Sequence, residues 1–208
     1  MTDKKTSRKP LGPRSTPIQK RSKARREQIL DVAAGLLEKL GSNSLTTIRI
    51  AEEVGISVGT LYHYFPNKEA ILYAMGQHWL EQMAATLQSP DNQPQDIDAF
   101  VEHFVKQMLM LYRQQKGLLH LVQGMFAIPQ LMPLDEQHDD LVIDYVANTL
   151  PALGIDKPKA ERQRIGRSLH EVSHALLLVV VNQSPRRGNN TLAELKLLLR
   201  SLLSSHQR

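Results

Sequence analysis

The sequence predicts an all-α protein of about nine helices, on three observations. Apolar residues recur at three- and four-residue spacing through most of the chain after residue 28. No window sustains the apolar–polar alternation of a half-buried strand. Glycines, prolines and Ser/Thr/Asn residues fall where successive helices of ordinary length need to stop and restart. The helices divide into an N-terminal group of three and a larger C-terminal group, with predicted bounds of 25–70 and 71–208 after an arm at 1–24.

The arm, "MTDKKTSRKPLGPRSTPIQKRSKARR", is rich in Pro, Ser, Lys and Arg and offers little to bury, so it is expected to be disordered. Helical pattern starts at "REQILDVAAGLLEKLG", where Ile29, Val32, Ala33, Leu36, Leu37 and Leu40 share a face and Gly41 supplies the stop. A short helix over 47–54 follows, with Thr46 as N-cap and Gly55 ending it. "SVGTLYHYF" makes another, opened by Ser57. Pro66 and Asn67 break and re-cap the chain before a long helix to about Gln88, whose Ile71, Met75, Trp79 and Met83 form an i, i+4 stripe.

"SPDNQPQ" reads as a linker. Residues 96–115 repeat Phe100, Val101, Phe104, Val105, Met108 and Tyr112 at helical spacing. A short helix is expected over 118–126, then a loop bounded by Pro129 and Pro133. Another helix spans 135–150, stopped by Pro151, and Pro158 suits the first turn of one reaching Val181. "NQSPRRGNN" reads as a loop, and Thr191 with Glu194 as a capping box opening a Leu-rich last helix.

Composition narrows the chemistry. The 208 residues include no cysteine, which excludes disulfides, thiolate metal sites and cysteine nucleophiles and suits a reducing compartment. The longest apolar run, Ala175 to Val181, is seven residues, against about 20 for a membrane span. With no signal-peptide core in the first 28 residues, a soluble cytoplasmic protein is expected. Residues 1–26 carry +9 of a whole-chain +5, so the remainder sits at −4. A basic arm on a mildly acidic body points to a polyanion at the N-terminal end.

Residues 46–65 read as helix, tight glycine turn, short helix, the helix-turn-helix arrangement. The second helix crowds Thr60, Tyr62, His63 and Tyr64 into one turn while Leu61 and Phe65 face inward. A core helix has no use for such polar-tipped rings. A helix set in a DNA groove does, since hydroxyl and imidazole tips reach phosphates while ring bodies meet bases and sugars. Gly59 lets the backbone come close to the duplex, and Lys68 puts a cation beside a positive helix end. A protein-binding adaptor using the same knuckle is the alternative, and it predicts no salt-dependent DNA affinity.

The stretch "RREQILDVAAGLLEKLGSNSLTTIRIAEEVGISVGTLYHYFPNKEAIL" resembles the DNA-binding domain of the TetR family of bacterial transcriptional regulators, above all in "GTLYHYFPNKEAIL". The resemblance implies that the third helix enters the major groove. There Gly59, Tyr62 and His63 stand where family members meet bases. Ser57, Thr60, Tyr64 and Lys68 stand where they hold phosphates, and Thr46 and Thr47 where they approach the backbone. Members often carry Arg where this chain has Ile48; here the arginine is Arg49, turned by about 100° on the helix and thereby aimed at a phosphate.

The resemblance further implies a repressor (no cofactor) that acts as a homodimer on a near-palindromic double-stranded DNA operator and is released by a small-molecule effector. The remaining helices would then form the ligand-binding and dimerisation domain. The last two long helices, about 158–181 and 191–203, would form the dimer. The residues agree, because "ALLLVVV" and "LAELKLLLRSLL" are apolar on more than one face and need burial on two sides. Phe104, Met108, Tyr112, His120, Met125 and Tyr145 are the candidate effector contacts, Met-lined cavities being adaptable to apolar ligands.

One motif argues otherwise. "HEVSH", His170 to His174, matches the H-E-x-x-H pattern of zinc peptidases. Such a site needs a third ligand and an open cleft. Here Leu177 and Val180 stand where the longer zincin pattern has Gly and His, and the only downstream carboxylate is Glu194. A helix that continues into seven apolar residues is a poor home for a hydrolytic cleft. No enzymatic activity and no metal site are expected, with a weak structural metal the remaining option.

Overall fold

A computed structural model describes residues 17–41, 44–88, 94–114 and 131–207. Among these the regular structure is entirely helical. The helix expected over 118–126, with His120 and Met125, lies outside the described residues, as do residues 89–93 of the linker and most of the arm.

The N-terminal head is built from α1 (Pro17–Leu40), α2 (Thr47–Val54) and α3 (Val58–Tyr64), with α1 packing on α2 and α2 on α3. In α1, Ile29, Ala33 and Leu37 form a fully buried i, i+4 stripe. The helix starts at Pro17, well before the expected start near residue 25. Proline suits a first helical turn, and the Lys- and Arg-rich stretch after it has good helix propensity, so the basic segment from Pro17 onward continues the helix.

Helix α4 (Lys68–Leu87) links head to body, packing on α1 at one end and on the helix over Met132–Thr149 at the other. Its N-cap is Asn67, whose Oδ1 accepts from Ala70 N at 2.8 Å. The buried face runs Ile71, Leu72, Met75, Trp79, Leu80, Met83 and Leu87, so the two cores are continuous.

The body contains α5 (Ile97–Gln114), α6 (Met132–Thr149), α7 (Lys159–Val181) and α8 (Pro185–Ser204). The pairing of α6 with α7 is the most extensive, followed by that of α7 with α8, and α5 lies across α7 and α8. Gly166 permits the close approach of α7 to α6, since a Cβ there would stand 2.8 Å from the Ile143 carbonyl oxygen. A 3-10 turn over Leu150–Leu153, closed by Gly154 at φ 77°, joins α6 to the segment before α7.

Two expected boundaries move. Pro133 lies in the first turn of α6 instead of a loop, a position where its missing N–H costs nothing. The last helix starts at Pro185, with Ser184 at the N-cap position, and takes in the "loop" and the supposed capping box. Thr191 is thus one of its interior residues, its hydroxyl donating to Arg187 O at 3.2 Å and to Gln183 Oε1 at 2.9 Å. Glu194 is an exposed mid-helix residue.

Candidate nucleic-acid interface

The turn between α2 and α3 is fixed by capping at both ends. Thr46 Oγ1 accepts from Arg49 N at 3.2 Å, opening α2. Gly55 takes φ 74°, ψ 38°, its N–H donating to Glu52 O while Ile56 N donates to Ala51 O, the paired bonds of a Schellman motif. Ser57 then caps α3 at once: its Oγ accepts from Thr60 N at 3.0 Å and shares a 2.8 Å bond with Thr60 Oγ1. Two helices joined by so few residues have a fixed crossing, which holds the outer face of α3 rigid.

Leu61 and Phe65 anchor that helix inward, both buried. Tyr62 is 48% exposed, and Ser57, Gly59, Thr60 and His63 are exposed beside it. Tyr64 departs from the expectation, being half-buried against the core with its ring edge-on to His63 at 6.1 Å. Tyr62 OH meets Thr47 Oγ1 at 3.2 Å, so the start of α2 and the face of α3 are one hydroxyl-bearing surface. A side chain at Gly59 would meet only Ser57 Oγ, at 3.8 Å, so internal packing does not require the glycine there. The Arg49 guanidinium folds back to the Ser44 carbonyl at 3.4 Å, at the N-terminal edge of α2. Lys68 is the first residue of α4, next to the α3 C-terminus.

The extended α1 brings residues that the sequence reading left in the arm. Arg21 and Arg25, one turn apart, line a groove with His63 and Tyr64. Arg26 sits over the Phe65 ring at 5.4 Å. The i, i+4 spacing of Arg21 and Arg25 is the signal the sequence carries, masked by a stretch whose Pro, Ser, Lys and Arg composition is that of a loop.

In the body, Phe104, Met108 and Tyr112 are fully buried, and Phe100, Phe104 and Tyr145 stack with centroids 5.6–6.4 Å apart. Tyr145 also borders a cleft of ≈ 580 Å³ between α4 and α6, with Leu87, Leu141 and Asp144. A cleft of ≈ 790 Å³ between α5 and α8, lined by Leu109, Met110 and Leu192, touches none of the expected contacts.

The two histidines of HEVSH face different partners. His170 Nε2 lies 2.8 Å from Asp139 Oδ1 on α6, whereas His174 Nδ1 meets the Tyr112 hydroxyl of α5 at 2.5 Å. Glu171, where a peptidase keeps its general base, is exposed and 3.8 Å from Arg167 Nη1. Burial lowers the pKa of His170, and burial with the neighbouring histidines takes that of His174 to about 4. Burial likewise pushes the Tyr112 phenol up, so it stays protonated and able to donate.

Residues 29–75 match the family described as bacterial regulatory proteins, tetR family, and residues 96–203 match the tetracyclin repressor-like C-terminal domain. The chain belongs to the TetR family. It is a DNA-binding regulator by family and not an enzyme, which sets the peptidase reading aside. This TetR-family chain is 33% identical over 123 residues to the nucleoid occlusion factor SlmA of Pasteurella multocida, covering 55% of the chain and 60% of that protein. It is 37% identical over 62 residues to the HTH-type transcriptional repressor Rv1474c of Mycobacterium tuberculosis, covering 30% and 33%. The matches thus span at most about three-fifths of these relatives' length. Among solved structures, Salmonella enterica GusR superposes with a TM-score of 0.70 at 21% identity, covering 87% of this chain and 96% of that one. A tetR-family transcriptional regulator from Streptomyces coelicolor gives 0.68 at 20%, covering 88% and 79%. At such identities the likeness is one of fold. No described helix is long and apolar enough to cross a membrane.

Proposed function

We propose that the protein is a ligand-responsive cytoplasmic repressor that binds a near-palindromic operator as a homodimer and releases it when a small molecule enters the body. The observation that carries this reading is the rigid, exposed α3 face, bounded by a basic α1. Tyr62, His63 and Gly59 meet bases in the major groove, while Ser57, Thr60, Tyr64, Lys68, Thr46, Thr47 and Arg49 hold the phosphates on either side. Arg21 and Arg25 extend the phosphate contacts from a helix already ordered, so their side chains bear less of the ordering cost that a free arm incurs on binding. Repression is favoured by the Mycobacterium tuberculosis relative, an HTH-type transcriptional repressor.

The DNA-binding head is the unit over residues 25–70, after the arm of 1–24, and the ligand-binding and dimerisation domain is residues 71–208. Two copies place their third helices about 34 Å apart, one turn of duplex, and an effector acts by changing that separation. Tyr145 is the described candidate contact that borders a cleft, and it marks the effector's entry; Phe104, Met108 and Tyr112 back it, with His120 and Met125 completing the set.

Footprinting on sites selected from random DNA tests the reading. Tyr62→Ala with His63→Ala alters only exposed side chains, so the variant should keep its melting temperature and dimer mass while losing protection. Unchanged protection would overturn the assignment. A second reading follows the name of the Pasteurella multocida relative, a role at the nucleoid. It predicts many dispersed chromosomal sites where the repressor reading predicts few, beside promoters.

A further inference from the structure

Between α6, α7 and α4 the protein buries a cluster of three imidazole rings for which DNA binding has no use. The rings of His138, His170 and His174 lie 5.0, 5.4 and 5.7 Å apart, pairwise. His138 is 3% exposed and His170 2%. Asp139 completes the group: its Oδ1 is 2.8 Å from His170 Nε2 and 3.5 Å from His138 Nδ1.

We propose that His138, Asp139 and His170 form a binding site for a divalent transition-metal ion of the zinc, cobalt or nickel class. One donor atom from each lies within 4.8 Å of the other two. Ligands of a tetrahedral ion at about 2.0–2.1 Å stand about 3.3 Å apart, so closure needs side-chain shifts of about 1.5 Å at most. Two imidazole nitrogens and one carboxylate oxygen are a borderline donor set, suited to these ions and not to calcium or magnesium. A fourth position is left for water or an effector's own donor atom. His174 stays outside the set, because its Nδ1 is engaged by Tyr112.

Two further observations point to a cation. Among the described residues His138 Nε2 is buried without a hydrogen-bond partner, an unusual cost for an interior imidazole and one expected where a polar group is kept for a ligand. The surroundings are also acidic: Asp135 lies one turn before Asp139 and Glu171 beside His170, and burial together with Asp139 raises the Asp135 pKa. A bound cation would relieve that repulsion. Arg167 Nη1, 3.7 Å from Asp139 Oδ2, is the outer contact that leaves Oδ1 turned to the histidines.

The chain reports on the site by itself. Trp79 is its single tryptophan, and the indole stacks on His138 with centroids 4.9 Å apart. Cobalt(II) or nickel(II) bound there should quench Trp79 emission with a one-to-one endpoint, and zinc(II) should reverse the quench by displacement. The measurement uses the full chain, free of any affinity tag and stripped with a chelator.

His170→Gln and Asp139→Ala should each weaken cobalt binding by at least the about 10–100-fold that loss of a supporting contact costs a metal site. His78→Ala, next to Trp79 on α4 but exposed and outside the cluster, should leave it unchanged. Asp139 is partly exposed on a helix, so Asp139→Ala retains the fold if the more buried His170 variant does not. Absence of saturable quenching in the folded wild type overturns the proposal. So does equal affinity in Asp139→Ala with a native circular-dichroism spectrum. None of these readouts depends on DNA, so the site fails or stands apart from the operator reading.

Discussion

Gly55 and Tyr62 set the geometry and the chemistry of the head from single positions. At φ 74° a Cβ on residue 55 would crowd the following carbonyl, although no neighbouring side chain stands in its way. Gly55→Ala should therefore cost about 1–2 kcal/mol, the penalty for an L-residue in the left-handed region. A urea midpoint unchanged from wild type would show that the turn relaxes to another conformation. Tyr62→Phe removes only a hydroxyl that meets Thr47 at 3.2 Å on an exposed surface. Folding stability should stay within about 0.5 kcal/mol. Operator affinity should fall about 10-fold or more if that hydroxyl donates to a phosphate, since hydrogen bonds to charged groups contribute about 1.5–3 kcal/mol. Parallel melts and gel-shift titrations separate the two effects.

At the scale of elements, the pairing of α6 with α7 depends on the absence of a side chain at 166. Alanine has the better helix propensity by about 1 kcal/mol. Its Cβ would stand 2.8 Å from a backbone carbonyl oxygen, however, and a backbone atom cannot swing aside as a side-chain end can. Overpacking costs of about 1–3 kcal/mol should win, so Gly166→Ala is expected to lower the melting temperature. A raised one would mean that the helices separate freely. The pairing of α5 with α8 rests partly on Arg200 and Lys196, which converge on Asp98 and Glu102 at 2.5–2.6 Å. The carboxylates are exposed and the two cations partly so, so Arg200→Ala should cost about 1 kcal/mol, less at high salt.

Elements also show what could be read in advance. Caps and stops recoverable from local chemistry, Thr46, Gly55, Ser57 and Asn67, fall where the sequence puts them because each acts within four residues. The starts of α1 and α8 were not recoverable. Each begins in a polar stretch that resembles a loop in composition but has Pro at its first position, and apolar periodicity is blind to helical turns with nothing to bury. The histidine cluster was illegible for a different reason. HEVSH suggested that its own two histidines act together, whereas His170 finds its partner 31 residues away and His174 finds its own 62 away. Only packing reveals which.

For the whole molecule the proposed homodimer raises the question of how two heads are held at one spacing. Within a single chain, α7 and α8 turn Leu177, Val180, Leu195, Leu199 and Leu203 inward. They leave Val179, Leu197 and Leu198 facing out, the two leucines 57% and 50% exposed. Apolar side chains at such positions on adjoining helices suit a two-fold interface, where each residue is buried twice over, once per copy. Full burial of a leucine is worth about 1.5–3 kcal/mol and about half of that is still to be gained by each of these half-exposed side chains, so the four that two protomers contribute supply several kcal/mol toward a dimer. Replacing both, as Leu197→Glu with Leu198→Glu, should leave the monomer folded, because neither side chain belongs to its core. Sedimentation should show half the wild-type mass. Operator binding should weaken steeply as well, since each head then binds one half-site without the raised effective concentration of its tethered partner. A variant that stayed dimeric would place the interface elsewhere, and the α5–α8 cleft with its exposed Met110 would be the surface to alter next.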